Sequence, residues 1–302
     1  MILIGENIHI ISNNVKNALI NKDEVFITEL VKSQNNMDYI DLNIGPAKKD
    51  LQGIFSWLTQ IVINNSDLGI SFDTTNIEEM KNGLKNFNGK CFINSTSKDE
   101  PKLSELIDMA INFNSNLIAL TLSKETGIPK TSDGRLEIAF EIYEKCIEKG
   151  FNNENLYFDP LILPVCIDQS QALEALNTIR MIKESFDPPV KTIIGLSNIS
   201  NGCPNRNLIN QVFASLAYGA GLDAAIIDAK DKELVRILKM LEQNNPQSNS
   251  DELYINISQI ISDFKNISEI KYDKNNADET KIIKTANILL NNEIYSHSFT
   301  QI

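Results

Sequence analysis

Residues 190–198 of this chain, VKTIIGLSN, show how the whole chain is organised. The stretch begins as a β-branched apolar run, which is typical of a buried strand. From residue 195 to residue 206 it becomes rich in Ser, Asn, Gly and Pro, which predicts a loop. Polar loops at the carboxyl ends of buried strands are where α/β proteins place their binding and catalytic residues.

Apolar runs of this kind alternate with helical patterns through residue 241. The predicted strands are 1–5, 39–44, 68–72, 91–93, 116–122, 156–158, 190–194 and 224–227. The predicted helices are 23–36, 51–61, a helix that begins after a capping box of Asn76 and Glu79, 101–113, 136–149, 169–186, 208–218 and 234–241. This alternation predicts parallel βα units, and eight strands predict a closed (β/α)8 TIM barrel. An open doubly wound sheet is the competing architecture, but no G-x-G-x-x-G motif follows an early strand.

The pattern changes after residue 241. A polar, Pro-containing stretch, a helical pattern and a second polar break follow, and a final helix is predicted over 279–290. We expect a single barrel domain over 1–302, with 243–278 as an insertion on its rim, because that segment is too short to build its own core.

The composition excludes several classes of protein. The chain has 302 residues, 42% hydrophobic and 23% charged, with a formal net charge of −12. Such an acidic surface argues against nucleic acid as a partner. No apolar run approaches ~18 residues, so no membrane span is predicted. No basic leader opens the chain, and its four cysteines are widely spaced. A cytoplasmic protein with reduced cysteines is therefore expected.

Candidate site residues follow from the strand ends. The residues at those ends are Glu6, Asn7, Asp41, Asn43, Asp73, Asn94, Asp159, Ser197, Asn198 and Asp228. They include no nucleophile–base pair, and no His/Asp/Glu cluster has metal-binding spacing, so no metal site is predicted. Carboxylates and carboxamides are suited to gripping a planar heterocycle such as an amino-pyrimidinone, which presents both donors and acceptors. Asp73, Asn94 and Asp159 are predicted to line one such pocket. The alternative is that each Asp only caps the next helix.

Six motifs carry a resemblance to a known family. They are DLNIGPA (41–47), DTTN (73–76), INST (93–96), TGIPK (126–130), DPLILP (159–164) and GLSN (195–198). In this order they closely resemble the methyltetrahydrofolate:corrinoid methyltransferases, which are pterin-binding TIM barrels. The resemblance covers residues 1–241 and the tail 288–299.

The resemblance implies a role for each matching residue. Asp73, Asn94 and Asp159 would hold the pterin edge. Asn198 would be catalytic, approaching the pterin nitrogen that bears the methyl group. The remaining pterin-site residues implied are Gly195 and Ser197, which would shape the pocket floor, Arg206, near the ligand, and Asn201. Asn201 and Gly202 stand where the best-known member has Gln and Asn.

The implied reaction moves a methyl group between N5 of methyltetrahydrofolate and the cobalt of a cobalamin or other corrinoid on a partner protein. A hydrogen bond or proton would assist at the pterin nitrogen. The resemblance also implies a homodimer. Three alternatives stay open: the reverse transfer to tetrahydrofolate in O-demethylation or other methyl-donor catabolism, dihydropteroate synthase, and a folate-binding protein without catalysis. Dihydropteroate synthases use a Lys at the end of strand seven, where this chain has GLSN.

Overall fold

The computed structural model describes residues 1–47 and 51–299. Within these ranges, parallel strands close a barrel in chain order. The strands are β1 Ile2–His9, β2 Tyr39–Gly45, β3 Gly69–Thr74, β4 Cys91–Thr96, β5 Asn116–Leu120, β6 Leu156–Asp159, β7 Lys191–Gly195 and β8 Ala224–Ile227. The predicted (β/α)8 barrel is confirmed, and each predicted strand overlaps an observed one.

Helices surround the barrel. They are α1 Asn13–Asn21, α2 Glu24–Lys32, α3 Ile54–Asn65, α4 Ile77–Lys85, α5 Lys102–Asn112, α6 Ser132–Glu148, α7 Ser170–Ser185, α8 Arg206–Gly219, α9 Lys232–Gln243, α10 Asn249–Asp263 and α11 Ala277–Leu289. Helix α1 was not predicted, because its many Asn residues obscure the short buried face of Val15, Ala18 and Leu19. None of the helices in the described ranges is both long and apolar enough to cross a membrane.

Only half of the predicted capping box forms at helix α4. The Asn76 side chain accepts a hydrogen bond from the Glu79 backbone N–H at 3.2 Å, as expected of an N-cap. The Glu79 carboxylate instead accepts from the Gly53 N–H at 2.6 Å. Glu79 therefore links the start of α4 to the start of α3 instead of closing its own helix end.

The barrel interior changes from apolar to polar along the strands. Its lower layer is a buried apolar cluster of Ile4, Tyr39, Phe92, Ile118, Tyr157, Ile193 and Ala224. Edge-to-face ring contacts join Tyr39 to Phe92 and Phe92 to Tyr157, each with 4.9 Å between centroids. Residues two positions apart on a strand share a face. The positions above this layer are therefore Glu6, Asp41, Asn94, Asp159 and Gly195.

Segment 243–278 packs against the outside of the barrel. Its helix α10 buries Leu253, Tyr254 and Ile257 in the hydrophobic core that α8 also shares. The two helices approach closely, because a Cβ at Gly219 would lie 1.6 Å from the Ser258 carbonyl oxygen. The description of 1–302 as one domain with a rim insertion stays a prediction, and 48–50 and 300–302 lie outside the described residues.

Candidate active site

Buried polar residues on β2, β3 and β4 form one wall of the barrel mouth. The Ser71 hydroxyl and the Asn94 carboxamide both donate to Asp41 Oδ1, at 2.6 and 3.2 Å. On the neighbouring pair of strands, Asn43 Nδ2 donates to Asp73 Oδ2. Asp73 and Asn94 lie side by side in the register of β3 and β4. Asp41 thus anchors Asn94, and Asn43 orients Asp73.

Burial controls the ionisation of both carboxyl groups in this wall. It raises the pKa of Asp41 well above its usual value, and the charge on Asp73 raises it further. Burial also raises the pKa of Asp73 to about 7, against the opposing effects of the Asn43 hydrogen bond and Lys102. At neutral pH the wall therefore does not hold two full negative charges, and it is suited to a ligand that brings N–H donors.

Asp159 supplies the opposite wall from β6. Its Oδ1 accepts from the Leu161 N–H at 2.7 Å, and Leu161 has a left-handed backbone with φ 64°. Burial raises the pKa of Asp159 to about 7, opposed by the Leu161 hydrogen bond and by Arg135. The strained turn after β6 thus holds one oxygen of the carboxyl group through the backbone.

The helix-capping alternative does not hold for these strand-end residues. The N-cap of α4 is Asn76, that of α5 is Pro101 and that of α7 is Gln169. Asp73, Asn94 and Asp159 therefore cap none of the helices that follow them. Their side chains are placed for contacts at the barrel mouth.

The loop after β7 is a 3-10 turn, Leu196–Ser200, and Arg206 braces it. The Arg206 Nη2 donates to the Ser197 carbonyl oxygen at 3.1 Å and to Asn201 Oδ1 at 3.0 Å. Its Nε donates to the Ser200 hydroxyl at 3.1 Å. The sequence predicts that Arg206 lies near the ligand. In the structure, its guanidinium group donates hydrogen bonds to the loop after β7.

Asn198 lies exposed at the opening of the barrel. Its Oδ1 accepts from Asn201 Nδ2 at 3.4 Å. A Cβ at Gly195 would lie 3.0 Å from Asn198 Nδ2, so a side chain at that position would crowd the carboxamide. Gly195 therefore leaves room for the Asn198 Nδ2 over the end of β7, where it is available as a donor.

Glu6 was left out of the expected pterin-site residues. Its carboxyl group accepts a hydrogen bond from the Ser197 hydroxyl, which ties the β7 loop to β1. Burial raises the pKa of Glu6 to about 7, against that hydrogen bond, while Asp41 and Asp228 raise it further. The inward alternation from Ile4 to Glu6 was the signal that could have identified it. On the same strand, Asn7 donates to Asp228 at 2.6 Å and joins β1 to β8.

Arg206→Gln is expected to destabilise the protein by about 1–2 kcal/mol, because three hydrogen bonds to the 197–201 loop are lost at a partly exposed site. Urea unfolding measures the change. Lys239→Gln, on the exposed face of α9, is the matched control. Equal unfolding midpoints for the two variants would contradict the bracing role of Arg206.

The structure brings the predicted site residues to one end of the barrel. Asp73, Asn94 and Asp159 lie at the carboxyl ends of β3, β4 and β6, and Gly195, Ser197 and Asn198 follow from β7. The arrangement offers carboxyl and carboxamide groups on the walls and a carboxamide donor at the opening. In residues 1–47 and 51–299, no three His, Cys, Asp or Glu side chains are grouped to hold a metal ion.

Comparisons with solved structures agree on the architecture. A dihydropteroate synthase from Coxiella burnetii, in complex with pteroic acid, superposes with a TM-score of 0.59 at 13% identity, covering 81% of this chain and 94% of that one. A Yersinia pestis dihydropteroate synthase gives a TM-score of 0.57, also at 13% identity, covering 80% and 94%. At this identity the likeness concerns the fold.

Sequence comparison finds relatives over most of the chain. The methylcorrinoid:tetrahydrofolate methyltransferase of Eubacterium limosum is 26% identical over 239 residues, covering 78% of this chain and 88% of that protein. The methionine synthase of Mycobacterium tuberculosis is 26% identical over 232 residues, covering 72% of this chain but only 19% of that much longer protein. The profile of the pterin binding enzyme family matches residues 40–228, more than half of the chain. This protein therefore belongs to the family of pterin-binding enzymes.

Proposed function

We propose that this protein is a methyltransferase that moves a methyl group between N5 of methyltetrahydrofolate and the cobalt of a corrinoid carried by a partner protein. The observation that carries the proposal is that the half-buried side chains of Asp73 and Asp159, whose carboxyl groups have raised pKa values, lie at the same barrel mouth as the exposed carboxamide of Asn198. Membership of the pterin-binding enzymes and the likeness to a methylcorrinoid:tetrahydrofolate methyltransferase support it.

The walls of the mouth are suited to the pterin edge. The amino-pyrimidinone part of a pterin presents N–H donors and a carbonyl acceptor in one plane. Asp73 and Asp159 provide acceptors, and Asn94, anchored on Asp41, provides a carboxamide. Hydrogen bonds from the ligand favour the charged carboxylates and offset the burial that raises their pKa.

We assign to Asn198 the role of assisting at the bond that breaks. When the methyl group leaves N5, an electron pair stays on that nitrogen and needs a donor or a proton. Asn198 Nδ2 over Gly195 is the donor we assign to it. The reduced corrinoid of the partner supplies the nucleophile, which agrees with the absence of a nucleophile–base pair from the predicted site residues. The reverse transfer passes through the same transition state, so Asn198 serves both directions.

Dihydropteroate synthesis is the less favoured function. The lysine expected at the end of strand seven is replaced by the GLSN motif, and Lys191 lies at the other end of β7. There its ammonium group is 5.2 Å from the centroid of the Tyr157 ring, in the apolar lower layer. No lysine of β7 therefore reaches the mouth.

Incubation of the protein with methyltetrahydrofolate and free reduced cobalamin, under anaerobic conditions, tests the proposal. Formation of methylcobalamin, followed by its absorbance, is the expected result. Folate binding without any methyl transfer would point instead to a folate-binding protein. The homodimer and the cytoplasmic location stay predictions, and light scattering tests the first.

Affinity for methyltetrahydrofolate is expected to rise with pH up to about 7 and then level off. Asp73 and Asp159, each with a pKa raised to about 7 by burial, accept the stronger, charge-assisted N–H bonds only when they are ionised. Below that pH each group costs up to about tenfold in affinity per pH unit. Calorimetric titrations between about pH 6 and about pH 8 measure the slope. An affinity independent of pH would contradict recognition by these carboxylates.

A further inference from the structure

Two cysteine thiols meet against the loop that carries Asn198. Cys166 lies in the segment after β6, and Cys203 lies in the segment after β7. The Cys166 Sγ is 3.1 Å from the carbonyl oxygen of Asn201, and the Cys203 Sγ is 3.8 Å from the same oxygen. The Cys203 thiol is also close enough to Cys166 to raise its pKa. Residues from different loops thus place two sulfur atoms side by side.

The other cysteines of the chain are different. Cys91 in β4 and Cys146 in α6 are buried, and burial raises the pKa of each thiol to about 12. Cys166 is partly exposed, so a small reagent can reach it. Burial raises the pKa of Cys166, and the adjoining Cys203 raises it further, so Cys166 is in the thiol form at neutral pH.

We propose that Cys166 and Cys203 form a reversible disulfide on exposure to a hydroperoxide. This disulfide displaces Asn198 in the loop after β7 and so slows methyl transfer. The effect on activity rests on the function proposed above, whereas the pairing of the cysteines does not. The disulfide joins the segment after β6 to the segment after β7.

The chemistry is balanced with hydrogen peroxide as the oxidant. The Cys166 sulfur attacks one peroxide oxygen, an S–O bond forms, the O–O bond breaks and one water leaves. The Cys203 sulfur then attacks the Cys166 sulfur, an S–S bond forms, the S–O bond breaks and a second water leaves. Two thiols are oxidised by two electrons in total, and the peroxide is reduced to two waters.

The bond would act on Asn198 through Asn201. A disulfide brings the two sulfurs to about 2.0 Å and removes both S–H donors, so the Asn201 carbonyl oxygen loses its hydrogen bonds from Cys166 and Cys203. Gly202, with φ 76°, gives the peptide after Asn201 the freedom to turn. The Asn201 side chain donates to Asn198 Oδ1 and accepts from Arg206. Displacement of the catalytic carboxamide by about 1 Å is expected to slow methyl transfer on the order of a hundredfold.

The experiment treats the full-length protein with hydrogen peroxide, blocks the remaining thiols and digests it without reduction. We expect a disulfide-linked pair of peptides containing Cys166 and Cys203. Cys91 and Cys146 should remain free thiols, which the blocking reagent alkylates once the protein is unfolded. Methyl transfer should fall with the appearance of that pair and return after treatment with dithiothreitol. Cys166→Ser, which keeps a donor to the Asn201 carbonyl, and Cys203→Ser should each retain activity after peroxide treatment.

Recovery of both cysteines as free thiols after peroxide treatment would overturn the proposal. Loss of activity in Cys166→Ser to the same extent as in the wild type would overturn the link between the bond and the loop, as would a disulfide that leaves the rate unchanged. If untreated protein shows no methyl transfer, the proposed function fails, and the peptide analysis still decides whether the cysteines pair.

Discussion

Asn198→Ala is expected to slow methyl transfer by roughly 10²–10³-fold, while the affinity for methyltetrahydrofolate changes little. The reason is that a donor aimed at a developing charge contributes about 3 kcal/mol to the transition state and far less to the ground state. Asn198 is exposed, and in the proposed function other side chains hold the pterin edge, which favours this separation of rate from binding.

Single-turnover rates with reduced cobalamin and calorimetric folate affinities measure the two effects. Asn112→Ala removes an exposed carboxamide at the end of α5, near the amino end of β5 and so away from the barrel mouth, and is the matched control. An Asn198→Ala rate equal to that of the control would remove Asn198 from the mechanism. If Asn198→Ala lowered the methyl-transfer rate and the folate affinity by the same factor, Asn198 would be a binding residue only.

Asp159→Asn is expected to stabilise the ligand-free protein above pH 7 and to weaken folate binding. Burial raises the folded-state pKa of Asp159 from 3.8 to about 7. For a group raised in this way, the stabilising contribution is complete below the unfolded pKa and is lost as pH rises through the folded pKa. At pH 8 the wild type therefore carries a buried charge that the variant lacks. The free energy of unfolding of Asp159→Asn is expected to exceed that of the wild type by about 2–4 kcal/mol at this pH. Near pH 4 the two proteins should be alike.

In the proposed function, the same substitution also removes a charged acceptor for the pterin. A charge-assisted hydrogen bond is worth about 1.5–3 kcal/mol, so affinity should fall by roughly 10–100-fold. Urea unfolding at the two pH values and calorimetry measure both effects. Asp108→Asn, at an exposed ion pair with Lys149, is the control and should show no pH-dependent gain. A destabilised Asp159→Asn above pH 7 would show that the carboxylate is held favourably without a ligand.

Much of the fold and part of the site could be predicted from local patterns. Apolar runs ending in Asp73, Asn94 and Asp159 placed these side chains at the carboxyl ends of strands, and the closed barrel brings those ends together. Helix α1 was missed because its apolar face is short. The placement of Arg206 near the ligand stays a prediction; its hydrogen bonds to the 197–201 loop could not be predicted, because a side chain's direction depends on neighbours that are not adjacent in the chain.

The sequence by itself determined the order of the elements and the polar character of the barrel mouth, because alternation and helical periodicity are properties of neighbouring residues. Only the tertiary structure decided which groups meet. Ser197 reaches Glu6 across 191 positions of the chain, and Asn94 reaches Asp41 across 53. The raised pKa values of the mouth also arise only after folding, because they depend on burial and on charges brought close by closure of the barrel.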